Sequence, residues 1–107
     1  MREPTFFILA ALLDGARHGY AIISAARELS EGRVILTAGT LYGALERLTA
    51  DGLVEDAGRE IVGGRARRYY RLTSAGAGVL REEAARMESA AALVRARMSP
   101  TAELGGP

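Results

Sequence analysis

The chain has 107 residues, 49% hydrophobic and 25% charged, with a net charge of +1, the size and balance of one globular domain. It has no cysteine, which excludes disulfides, thiolate-bound zinc, iron–sulfur clusters and thiol catalysis. All 14 of its Lys+Arg residues are arginine, so Schiff-base and Walker-lysine chemistry are excluded, and one histidine cannot build a His-rich metal site.

Pro4 suits a first helical turn, and Phe6 to Leu13 follows as eight consecutive apolar residues. Eight residues cannot span a bilayer. Glu3, Asp14 and Arg17 stand where a signal peptide needs a positive leader and small residues, so the expectation is a soluble, cytoplasmic protein with no membrane partner. Asp14-Gly15 closes this helix, and a second begins near Gly19 with Ile22, Ala25, Ala26 and Leu29 on one face. Glu31-Gly32 ends it, and Val34-Ile35-Leu36 predicts a short strand.

Thr37 caps a third helix whose inward stripe is Leu41, Ala44, Leu45 and Leu48, ended by Asp51-Gly52. Two extended segments, Leu53-Val54 with Ile61-Val62 and then Arg67 to Leu72, flank Gly63-Gly64 and predict a β-hairpin with Tyr70 and Leu72 inward. Thr73 caps a long final helix. Its apolar positions Ala77, Leu80, Ala84, Met87, Ala91, Val94 and Met98 alternate spacings of three and four, a heptad seam. The stretch 99–107 has no periodicity and is expected to be a frayed, disordered tail.

The fold class is therefore mainly α with a small β-hairpin: a winged helix-turn-helix followed by a long C-terminal helix. Residues 1–73 form the DNA-binding domain, and 74–98 the dimerisation helix. Charge supports this division, because residues 59–73 hold Arg59, Arg65, Arg67, Arg68 and Arg71 against Glu60 alone. A local basic block in a nearly neutral chain suits a polyanion held at one place. The third helix would enter a major groove, with Thr37, Thr40 and Tyr42 offering hydroxyls near its start and Arg47 on its outer face. The hairpin arginines, Arg65, Arg67 and Arg68 among them, would supply backbone contacts to double-stranded DNA.

The runs His18-Gly19-Tyr20, Gly39 to Leu48, Asp51 to Val54, Gly64 to Thr73 and Ala75-Gly76 together resemble the phenolic acid decarboxylase repressor (PadR) family. The resemblance covers roughly residues 5–80 and implies a dimeric winged-helix transcription factor, in most members a repressor, and in many responsive to small aromatic or drug-like molecules. It adds Tyr20 and Gly39 to the DNA-binding set. The short length matches the branch with a single C-terminal dimerisation helix. Ala38 and Ala66 stand where the family often has proline, which loosens two turns and removes no contacting group. The absence of tryptophan rules out a drug held between tryptophans at the dimer centre.

An enzyme is not expected, since Glu82-Glu83 and Glu55-Asp56 project to different faces and form no acid–base couple. No cofactor is expected. The alternative, a winged-helix module that binds protein rather than DNA, fits a basic wing and a polar third helix poorly. Phe6, Phe7, Ala10 and Leu13 of the first helix, with Leu80, Ala84, Met87, Ala91, Val94 and Met98, are the residues expected to meet at a homodimer axis. They would also line a site for a small hydrophobic effector, if the protein takes one.

Overall fold

A computed structural model describes residues 1–98; the expected tail at 99–107 lies outside the described residues. Helix α1 (Glu3–Ala10) opens with Pro4 in its first turn and Glu3 at its positive end. It stops three residues short of Leu13. Leu12 and Leu13 donate instead to the carbonyls of Leu9 and Ala10, the i→i−3 pattern of a tightened last turn. Ile8, Leu9, Ala11 and Leu12 are buried, so helix and turn together form the floor of the core.

Strand β1 (Arg17–His18) was not anticipated. It pairs antiparallel with the hairpin, placing Arg17 opposite Tyr70 and His18 opposite Tyr69. Helix α2 (Gly19–Leu29) starts directly from it, and the His18 side chain accepts a hydrogen bond from the Ala21 amide. Ile22 and Ala26 are buried against α1, and Ser30 closes the helix.

The expected strand at Val34–Leu36 does not form. The segment is left without a ladder, with Val34 and Leu36 buried and Ile35 70% exposed, and no strand among the described residues pairs with it. The Val34 amide donates to Ser30 Oγ at 2.8 Å instead, and β1 occupies the sheet edge that a third strand needs.

Helix α3 (Ala38–Ala50) buries Leu41, Ala44, Leu45 and Leu48, as its periodicity requires. At its end the Leu53 amide reaches the Leu48 carbonyl and the Gly52 amide the Thr49 carbonyl, with Gly52 at φ +75°. This is a Schellman closure. Strands β2 (Val54–Val62) and β3 (Arg65–Leu72) form the wing. Gly63 and Gly64 join them, both at positive φ, as a two-residue type I′ turn demands. Ala57 is an extra residue in β2, a bulge that merges the two expected apolar pairs into one continuous strand. The sheet order is β1-β3-β2.

Helix α4 (Ser74–Met98) runs 25 residues, about 37 Å at 1.5 Å per residue. Thr73 Oγ1 accepts from the Gly76 amide at 3.0 Å and donates to the Gly52 carbonyl at 2.6 Å, tying the helix start to the end of α3. Among the described residues, it is the first half that packs on the other elements. Leu80 is buried, whereas Met87, Val94 and Met98 are exposed. The radius of gyration is 17.7 Å, against about 13 Å for a compact chain of this length, because the far half of α4 projects alone. On this helix the Arg86 guanidinium hydrogen-bonds Glu83 and holds its carboxyl below the usual range.

Candidate nucleic-acid interface

The start of α3 is fixed by two threonines. Thr37 Oγ1 accepts from the Thr40 amide at 3.2 Å and donates to Thr40 Oγ1 at 3.0 Å. That arrangement leaves the Thr40 hydroxyl proton free for an acceptor outside the chain. Gly39, Thr40, Tyr42 and Arg47 are all exposed, since the buried stripe takes the opposite side of the helix.

Gly39 is not demanded by the chain's own packing, because a Cβ built there meets nothing within 4 Å. Alanine is favoured over glycine inside a helix by about 1 kcal/mol. Gly39→Ala is therefore expected to hold or raise the melting temperature while weakening DNA binding about tenfold, by blocking close approach of a phosphate. A thermal melt beside a fluorescence-anisotropy titration checks both, and unchanged affinity would remove Gly39 from the interface.

Tyr42 has a double position. It is 47% exposed, yet its phenol ring lies over Gly19, where an added Cβ would sit 2.9 Å from Cζ. The ring thus closes one side of a cleft of about 160 Å³ lined by His18, Gly19, Tyr20, Tyr42 and Arg65 to Arg68. Tyr20, Tyr42, Arg65, Arg67 and Arg68 meet here from three elements: the start of α2, α3 and the wing.

The arginines of the wing are not equivalent. Arg71 bonds Glu55 at 2.8 Å and Arg68 lies 3.5 Å from Asp56, so these two charges are partly offset within the chain. Arg59, Arg65 and Arg67 have no carboxylate partner among the described residues. Arg47 has none either. Tyr70 is buried and Leu72 half-buried, the inward pair expected of β3. The acidic partners of Arg68 and Arg71 were not singled out from the sequence, because they depend on strand register: Glu55 stands opposite Arg71, while Arg68, opposite Arg59, reaches Asp56 diagonally across the bulge at Ala57.

The residues expected at a dimer axis divide into two groups. Phe6, Ala10, Leu13, Leu80 and Ala84, with Ala77 and Arg81, line an apolar groove of about 240 Å³ between α1 and α4. Phe7 is half-buried and packs edge-on to Phe6 with ring centroids 5.2 Å apart. Met87, Ala91, Val94 and Met98 continue the seam beyond the reach of α1, with Met98 73% exposed. Leu93, also exposed, lies beside the seam and was not anticipated. Among the described residues no helix is long and apolar enough to cross a membrane, and no group of acids and histidine could hold a metal ion.

The chain is 41% identical over 98 residues to the transcriptional regulator Rv3488 of Mycobacterium tuberculosis, covering 92% of this chain and 88% of that protein. Among solved structures, a PadR family transcriptional regulator from Eggerthella lenta superposes with a TM-score of 0.70 at 28% identity, over 90% of this chain and 81% of that one. Bacillus subtilis PadR, solved in complex with operator DNA, superposes with a TM-score of 0.66 at 27% identity, over 76% of this chain and 46% of that one. Residues 8–82 match the transcriptional regulator PadR-like family, a family of regulators rather than enzymes, and the chain belongs to it.

Proposed function

We propose that this regulator binds a palindromic operator in double-stranded DNA as a homodimer, with residues 1–73 as the DNA-binding unit and 74–98 as the dimerisation helix. The supporting observation is the convergence of Tyr20, Tyr42, Arg65 and Arg67 on one cleft beside the exposed start of α3. In this reading α3 lies in the major groove, with Thr37, Gly39, Thr40, Tyr42 and Arg47 toward the DNA. The wing follows the flanking backbone. Bacillus subtilis PadR bound to operator DNA supplies the precedent for the partner. Repression is the output proposed, relieved by a small aromatic or drug-like effector. The groove between α1 and α4, about 240 Å³, is smaller than the roughly 300–1,000 Å³ of typical ligand pockets, so an effector site placed there would be completed by a second copy.

Salt dependence tests the DNA contact. With Arg59, Arg65 and Arg67 each neutralising a phosphate, a dimer engages about six, for a log–log salt slope of about −5 or steeper. Arg65→Ala should weaken every duplex by a similar factor and reduce the slope by about two units, one contact per subunit. Affinity that hardly changes between low and moderate salt would contradict the assignment of the wing.

A further inference from the structure

We propose that His18 is itself a DNA contact, its Nε2–H acting with Arg67 as a two-donor clamp on one backbone phosphate. The inference rests on the DNA-binding reading above and adds a residue which that reading does not use.

His18 Nδ1 accepts from the Ala21 amide at 3.4 Å, which caps α2, so the neutral ring carries its proton on Nε2. Arg67 Nη1 lies 3.4 Å from that same Nε2. Both atoms are then donors, and neither satisfies the other. Two donors held this close and facing one space are complementary to a third group with acceptor oxygens only, and a phosphate is such a group. The opposite tautomer would let Nε2 accept from Arg67, but would turn Nδ1–H against the Ala21 N–H and lose the cap.

The ring is held in place for this. His18 stands opposite Tyr69 in the sheet and packs edge-on to it, with centroids 5.5 Å apart. The surroundings favour an anion. Arg65, Arg67 and Arg68 line the same cleft with the hydroxyls of Tyr20 and Tyr42. Of the acids near this cleft, Asp56 lies 3.5 Å from Arg68, and Glu60, cross-strand from Arg67, takes the Tyr69 hydroxyl at 3.5 Å without pairing Arg67. Position 18 thus does two jobs: one nitrogen builds α2, and the other faces outward.

Asparagine separates the two jobs. It is among the best N-cap residues but lacks an atom in the place of Nε2, so His18→Asn should keep the fold and remove the clamp. Duplexes of about 30 base pairs, recovered from a random pool by the wild-type protein, serve as the probe. His18→Asn is expected to bind them about tenfold more weakly per half-site while still melting as a cooperatively folded chain. Methylphosphonate substitution at each phosphate in turn should reveal one position per half-site that matters to the wild type and little to His18→Asn. Binding by His18→Asn within twofold of wild type would overturn the clamp. The single histidine also permits a test without mutation. With ¹⁵N-labelled histidine, the free protein should show the Nε2–H tautomer, and the duplex should shift Nε2 and protect its proton from exchange. Signals unmoved at saturating duplex would overturn the clamp even if His18→Asn proved unstable. If the wild type recovers no duplex at all, the DNA-binding reading fails instead.

Discussion

Met87→Glu is expected to abolish the dimer and operator binding together while leaving each chain folded. Met87 is 44% exposed in the single chain, and glutamate is as good a helix former as methionine, so the monomer should lose only the roughly 0.2–0.5 kcal/mol of a like-charge pair with Glu83. At a two-fold seam the substitution sets two carboxylates against each other, with Glu83 one turn away on each helix. Three of the seven seam positions are alanine, which permits close approach of helices but buries little area, so the seam has small reserve against such repulsion. Losing one of two linked binding units lowers affinity by about a hundredfold or more. Sedimentation at micromolar concentration and a parallel binding titration measure the two effects. A Met87→Glu protein that remains dimeric would show that α4 does not form the axis.

Gly76→Ala is expected to damage the fold itself. Gly76 is buried, and a Cβ there would collide with the Leu53 carbonyl oxygen, in addition to lying 2.8 Å from Leu72 Cδ1 and 3.0 Å from the Leu53 carbonyl carbon. A side chain can turn away, but the Leu53 carbonyl cannot, since it accepts the Thr73 amide at 3.1 Å. The helix start must shift, straining the Thr73 hydrogen bonds that join it to Gly76 and Gly52. Overpacking of this kind costs about 1–3 kcal/mol, and a backbone obstacle places it at the upper end. Gly19→Ala makes the contrasting control, because its Cβ would clash with the far end of the Tyr42 side chain, which can swing outward, and otherwise make an ordinary contact of 3.5 Å with Leu41 Cδ2. Chemical denaturation should separate the two: a large loss for Gly76→Ala, a small one for Gly19→Ala. Equal losses would mean that the Leu53–Gly76 approach is not a constraint.

What the sequence disclosed follows from how each element is stabilised. Helix α3 was legible because its buried face repeats at helical spacing and Thr37 and Gly52 mark its ends; α2 was legible in its start near Gly19 and in Ile22 and Ala26, but Leu29, expected on the same face, is exposed. The wing was legible from Gly63-Gly64, which suits a two-residue turn with positive φ. Strand β1 was not, because two residues have no period and its place is set by the free edge of β3. Val34 to Leu36 alternates like a strand and buries like one, but pairing needs a neighbour, which no local pattern reports. The wing arginines showed the same limit. Their number was visible, but the pairing of Arg71 with Glu55 and the diagonal approach of Arg68 to Asp56 depend on the register of the two strands, which no local pattern reports. The second nitrogen of His18 became informative only when Arg67 was seen beside it.

The most direct test of the whole account is selection of duplexes from a random pool by the full chain, followed by sequencing. A two-fold dimer with α3 in successive major grooves predicts a palindrome whose half-sites are centred roughly 34–36 Å apart, about 10 base pairs. Recovery of such a palindrome, bound by two chains per duplex, is the result expected. Recovery of a single unrepeated half-site bound by one chain, or no enrichment of any sequence, would contradict it.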